Sequence, residues 1–192
     1  MRSLVLSYHN IHEHGTVFIE FLRARHAVFI QEKRWPLPEE DGMEFDQYDT
    51  PHSRWVVILD EQNKILAGFR MTRTTAQCGA YSYMIRDAHR GLLDTIPPEI
   101  LSEAAPQCET VWECTRAFVA PDVPPACRSR VRRFMIESFL PSVRSVGGTD
   151  LVTLTSPLWK RWMPMHGISG RALGPVVNID GEPYQAVRMS AA

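Results

Sequence analysis

The chain has 192 residues, 44% of them apolar, with 21 Lys and Arg against 22 Asp and Glu. That size and apolar fraction fit one globular domain, residues 1–192, with a real core. So even a charge balance gives no general pull toward nucleic acid or a membrane surface. No apolar run approaches the length of a membrane span, and MRSLVLSYHNIHEHG lacks the long apolar stretch and cleavage site of a signal peptide. A cytoplasmic protein is expected. Cys78, Cys108, Cys114 and Cys127 form no C-x-x-C pair and no zinc spacing with histidine, so reduced thiols and no metal are expected. The basic residues are almost all Arg, which suits planar recognition of carboxylates and phosphates, although GC-rich coding gives the same bias.

In chain order, SLVLSY reads as a short first strand. From Thr16 to about Gln31 the period becomes helical, with Phe18, Phe21, Leu22, Val28 and Phe29 on one stripe. Arg25 falls on that same stripe. A charge facing a core is costly unless paired, so Arg25 either has acids near it in space or snorkels along the stripe edge. RWPLPEEDG breaks the helix as a loop. It leads into MEFDQYD, residues 43 to 49, which sets Glu44, Asp46 and Asp49 among Phe45 and Tyr48. Carboxylates among aromatics are either an acidic turn or holders of a cation.

SRWVVILD and ILAGFRMTRT read as a hairpin over residues 53 to 74. On its second strand Gly68 beside Arg70 either leaves room for a ligand or another backbone, or marks a bulge. Residues 84 to 105 read as helical pieces broken by Pro97 and Pro98. TVWECTRAFVA is a third strong strand. A helix follows from Arg128 to about Val146, with Pro141 expected to kink it. TDLVTLTS is a fourth strand and SPLWKRWMPMHG a short helix. GPVVNI and PYQAVRM flank IDGE, a turn between two closing strands. The order predicts an α/β protein, a mixed and largely antiparallel sheet sandwiched by helices, which is the order of the N-acyltransferase fold.

The motifs RHAVF (25 to 29), Trp35, EFDQYD (44 to 49), GFR (68 to 70) and WECTR (112 to 116) occur in this order and at these spacings. Together they resemble the acyl-homoserine-lactone synthase family, the autoinducer synthases of bacterial quorum sensing. GRALGPVVNIDGE (170 to 182) is similar to the family's closing segment. Thr115, where the family usually has Ser, and Ala117, where many members have Phe, are mild departures.

The resemblance implies two substrates, S-adenosylmethionine and an acyl chain held as a thioester on acyl carrier protein, and no separate cofactor. The amine attacks the thioester to form an amide. The substrate's carboxylate then closes the lactone and expels methylthioadenosine. S-adenosylmethionine carries both charge signs, so its site should mix acids and arginines. Asp46, Asp49 and Glu113 against Arg25, Arg70 and Arg116 are three and three. Opposite charges about 4 Å apart attract by roughly 4 kcal/mol at an effective dielectric near 20. A network that only locks the N-terminal segment is the alternative.

Glu113 is the candidate base for the amine. In a regular strand Glu113 and Arg116 face opposite sides, so a shared pocket requires a bulge or an end between them. Phe29 and Trp35 offer aromatic faces to a cation or an adenine, or are plain core. The family pattern puts Thr153 in the acyl-chain pocket, where Thr resembles users of 3-oxo chains. An acidic carrier protein needs a basic patch. Lys160 and Arg161 resemble the family's docking positions, and Arg128, Arg130, Arg132 and Arg133 form a second run; either is also readable as a solvated face. Two rivals stand beside this reading. One is an N-acyltransferase using acyl-coenzyme A, disfavoured because PDVPPACRSRVRR has no glycine for a pyrophosphate cradle. The other is a non-catalytic ligand sensor on the same fold.

Overall fold

The computed structural model describes residues 1–191. The elements run β1 (Arg2–Leu6), α1 (Val17–His26) with a π-helical continuation (Ala27–Glu32), β2 (Glu39–Glu40), β3 (Met43–Glu44), β4 (Ser53–Leu59) and β5 (Ile65–Arg73). Then come α2 (Met84–His89), β6 (Val111–Val119), α3 (Pro125–Ser145), β7 (Asp150–Thr155), α4 (Trp159–Met165), β8 (Ile168–Ile179) and β9 (Glu182–Ala191). The main strands hydrogen-bond in the order β1-β4-β5-β6-β7-β9-β8. β1–β4, β7–β9 and β8–β9 are antiparallel, and β6–β7 is parallel. The mixed, largely antiparallel α/β architecture is the one the element order predicted. No helix among the described residues is long and apolar enough to cross a membrane.

The chain forms two compact units, Met1–Met71 with Arg116–Ser138, and Thr72–Thr115 with Phe139 onward. In the first, α1 buries Phe21 and Leu22, and its continuation buries Val28 and Phe29, against Leu6, Trp55, Val57, Leu59, Ile65 and Phe118. Gly68 on β5 makes this packing possible. A Cβ there would lie 2.5 Å from Phe21 Cε2 and 2.7 Å from the Val56 carbonyl oxygen. The room beside Arg70 is therefore taken by the chain's own ring and backbone. In the second unit, Tyr83, Ile85 and Ala88 around α2 pack with Ile100, Val111, Val152, Leu173 and Ala186.

Local differences from the sequence expectations have identifiable causes. The helix predicted to Gln31 widens at Ala27, and the Lys33 N–H reaches the Val28 carbonyl five residues back at 3.0 Å. The stretch read as a loop around residue 41 contains the small hairpin β2–β3. Its turn is Asp41-Gly42, both at positive φ (51° and 71°), the type I′ geometry that an Asp-Gly pair favours. The predicted IDGE turn has the same geometry at Asp180 and Gly181 (52° and 84°). α3 starts at Pro125, earlier than Arg128, because proline suits a first helical turn whose N–H groups have no partner. β8 starts well before Gly174, at Ile168, and its register against β9 shifts between Ala172 and Val176. Pro175 lies in that irregular stretch, where the ladder needs no donor from it.

Candidate active site

Arg25 is fully buried on the inner stripe of α1. Its Nε donates to Glu44 Oε2 at 2.5 Å, and its Nη1 and Nη2 donate to Asp49 Oδ1 and Oδ2 at 2.7 and 3.0 Å. Arg70, also fully buried, reaches Asp46 Oδ1 at 2.5 Å and Oδ2 at 3.2 Å, and Asp49 Oδ2 at 3.0 Å. Arg116 closes the network through Glu44 Oε1 (3.1 Å) and Asp46 Oδ2 (2.8 Å). The acidic segment is pinned from within: the Tyr48 N–H donates to Asp46 Oδ1 and the Asp46 N–H to Asp49 Oδ2. Trp55 Nε1 donates to Asp49 Oδ1 at 2.8 Å.

Within the first unit the network is three and three, with Glu44 as its third acid. EFDQYD names Glu44 as readily as its two aspartates. The missed signal was that β3 turns this residue inward, to zero exposure. The ion pairs set the protonation states. Burial pushes the Asp46 carboxyl upward, yet Arg70 and Arg116 outweigh it and hold the pKa below the ordinary value. Asp49 is likewise pulled far down, with Arg70 and Arg25 overcoming burial. Burial opposes the charge on Arg25, but Asp49 and Glu44 raise its pKa still further. All three groups stay ionised across the physiological range.

An aromatic platform adjoins these charges. Phe29 and Trp35 stack with centroids 5.3 Å apart and planes 16° apart. The Arg116 guanidinium lies 5.6 Å from the Phe29 centroid. The stack depends on a strained turn. The Trp35 N–H returns to the Phe29 carbonyl at 2.9 Å, closing the helix end, and Arg34 takes the left-handed conformation (φ 57°) that glycine would adopt freely. That conformation costs a non-glycine residue about 1 kcal/mol.

Glu113, the expected base, lies in the second unit and is fully buried. Its oxygens accept from the backbone N–H groups of Ile85 (2.7 Å) and Met84 (3.1 Å). These are first-turn amides of α2, which lack intrahelical partners, so the carboxylate anchors that helix end. β6 runs on through this stretch but is irregular at Arg116, whose φ is 54°. The parallel pairing of β6 with β7 also ends just before it, at Cys114↔Thr153. Thr153 Oγ1 donates its one proton to the Cys114 carbonyl at 2.9 Å.

Lys160 and Arg161 are exposed on α4, with Lys160 Nζ 5.6 Å from the Trp159 centroid. Of the other basic run, Arg128 is bound to the Ala120 and Pro121 carbonyls, and Arg133 faces Glu137 at 3.8 Å. Among the described residues no disulfide joins the four cysteines, and no group of three or more His, Cys, Asp or Glu side chains is arranged to hold a metal ion.

Comparison with known proteins matches residues 9–191 to the family described as autoinducer synthase. An acyl-homoserine-lactone synthase of Ralstonia solanacearum is 32% identical over 168 residues, which are 84% of this chain and 76% of that protein. Another, from Pseudomonas chlororaphis, is 26% identical over 175 residues, 88% of this chain and 78% of its own. Among solved structures, TofI in a ternary complex with an inhibitor and MTA superposes with a TM-score of 0.76 at 24% identity, covering 99% of this chain and 91% of that one. The CoA-dependent acyl-homoserine lactone synthase MesI gives 0.80 at 19% identity, with 100% and 89% coverage. An acyl-CoA N-acyltransferase from Pseudomonas aeruginosa gives 0.60 at 14% identity, with 98% and 99% coverage. At these identities the solved structures speak for the fold, which is N-acyltransferase-like.

Proposed function

The chain belongs to the autoinducer synthase family, and we propose from that premise that it joins an acyl chain to S-adenosylmethionine and releases an acyl-homoserine lactone with methylthioadenosine. One observation carries the reading to this chain's own residues: the buried network of Arg25, Arg70 and Arg116 with Glu44, Asp46 and Asp49 beside the Phe29–Trp35 platform. The platform offers flat aromatic faces to an adenine or a sulfonium. The network fixes those rings and the acidic segment before substrate arrives, so little reorganisation is left for binding.

The amine must reach the thioester uncharged. Asp46 and Asp49 are too well stabilised as carboxylates to take its proton, and the Glu113 oxygens are engaged by α2. We therefore assign the proton to water. An α-amino group titrates near pH 8, so an adequate fraction is neutral at physiological pH. The neutral nitrogen attacks the acyl carbon, the thiolate leaves, and an amide forms. The substrate carboxylate then displaces methylthioadenosine from the carbon beside sulfur and closes the lactone. In this scheme Glu113 is a positioning residue acting through α2. Thr153 would have to release the Cys114 carbonyl to donate to a 3-oxo group, so an unsubstituted acyl chain suits the geometry better.

For the donor we favour acyl carrier protein, docked through Lys160 and Arg161. α3 opens on prolines and has no glycine for a pyrophosphate cradle, which counts against coenzyme A. The test is mass spectrometry of the protein with S-adenosylmethionine and a panel of acyl-carrier-protein and coenzyme A thioesters. Methylthioadenosine and an acyl-homoserine lactone are expected together. Binding of S-adenosylmethionine without either product from any donor would favour a sensor. Charge reversal at Lys160 and Arg161 should raise KM for the carrier-protein thioester and leave any coenzyme A thioester unaffected.

A further inference from the structure

The six network charges cancel, and both buried guanidiniums are committed to carboxylates. A seventh charge beside them is not cancelled. Lys33 Nζ lies 4.6 Å from the Trp35 centroid and 5.3 Å from that of Phe29. Among the described residues this ammonium makes no hydrogen bond or ion pair. Glu32, its chain neighbour, attracts it without forming a salt bridge, and Arg116 repels it. Partial desolvation and then Arg116 pull the lysine pKa below its ordinary value.

An ammonium has three donors, and a ring face satisfies it only weakly, by about 0.5–1 kcal/mol at accessible sites. A positive group held at the edge of the platform by so little is free to exchange the rings for an anion. The proposed substrate has one anionic group. We propose that Lys33 is the residue that binds the carboxylate of S-adenosylmethionine; this rests on the proposed function. Arg25 and Arg70 are poorly placed for the task, because Arg25 already spends Nε and both terminal nitrogens on Glu44 and Asp49, and Arg70 both terminal nitrogens on Asp46 and Asp49, while Arg116 gives Nε to Glu44 and Nη2 to Asp46. Lysine also suits the chemistry. The carboxylate must later swing onto the carbon beside sulfur. A point charge on a flexible stem tolerates that movement better than a bidentate guanidinium.

The test compares S-adenosylmethionine with its decarboxylated form by isothermal titration. Wild type, Lys33→Met and Lys33→Arg are each measured. Lys33→Met should weaken S-adenosylmethionine about tenfold or more, the loss of one charge-assisted contact. The decarboxylated ligand, which carries only positive charge, should bind the variant equally or more tightly. Lys33→Arg should recover most of the affinity for S-adenosylmethionine, and KM for the thioester donor should not change. Equal weakening of both ligands would reduce Lys33 to a support of the rings and overturn the proposal. So would no weakening, or an effect confined to the donor. If wild type binds neither ligand, the proposed function itself falls, and the carboxylate assignment with it.

Discussion

Glu44 in the first unit and Glu113 in the second are both fully buried glutamates, yet their carboxylates are satisfied by different means. Glu44 lies between two guanidiniums, Arg25 at 2.5 Å and Arg116 at 3.1 Å. Glu113 lies against two backbone amides at the start of α2. The first solution depends on side chains from elements far apart in sequence, so deleting one partner leaves a buried charge underpaired. The second uses donors that the helix end possesses whatever its side chains are. A network of ions is therefore fragile to substitution and sensitive to acid, whereas the two amide bonds to Glu113 survive changes to the side chains of α2.

The contrast is sharpened most by Arg25→Met. It leaves Glu44 and Asp49 buried and underpaired, and urea unfolding should show a loss of about 3–5 kcal/mol. A loss near zero would mean that the acids relax to solvent and that the network is not preorganised. Next in size is Glu113→Gln, which keeps the shape but presents an NH2 group to an N–H donor; about 1–3 kcal/mol is expected. The same variant tests its chemical role. The rise of kcat/KM toward pH 8 should persist, because that limb belongs to the substrate amine. Loss of the limb would restore Glu113 as the base.

Acid provides a third comparison. Asp46 and Asp49 have folded pKa values below the ordinary 3.8, so the unfolded chain takes up their protons first. Their stabilisation is complete above about pH 4 and is lost as the pH falls below that. Asp49→Asn should flatten this part of the stability curve, read from thermal melts between pH 2 and pH 5. Smallest of all, Arg171→Ala removes an exposed pair with Glu103 (3.0 Å) and should cost at most about 0.5 kcal/mol. A larger loss there would mean that solvent screening does not divide these charges as the comparison requires.

Much of this was readable from residue order. Arg25 on an apolar stripe announced a need for acids, and the period changes announced the alternation of strands and helices. The odd spacing of Glu113 and Arg116 said that the two could share a pocket only if the strand were irregular, and β6 is irregular at the left-handed Arg116. Gly68 was legible only as a place of close approach. That Phe21 makes the approach depends on how α1 lies on β5. The hairpin at Asp41-Gly42 had the right turn residues, but its strands are two residues long, too short to show alternation.

By itself the sequence determined which residues could not stand alone in a core and which turns the backbone would favour, because burial cost and left-handed φ belong to each residue type. Tertiary structure alone decided the partners. Glu44 and Glu113 carry the same carboxylate, and nothing in their composition says that the first will lie between Arg25 and Arg116 or that the second will hold the first amides of α2. That choice follows from which face each strand turns inward, and from what the chain, folding back from far along its length, sets against it.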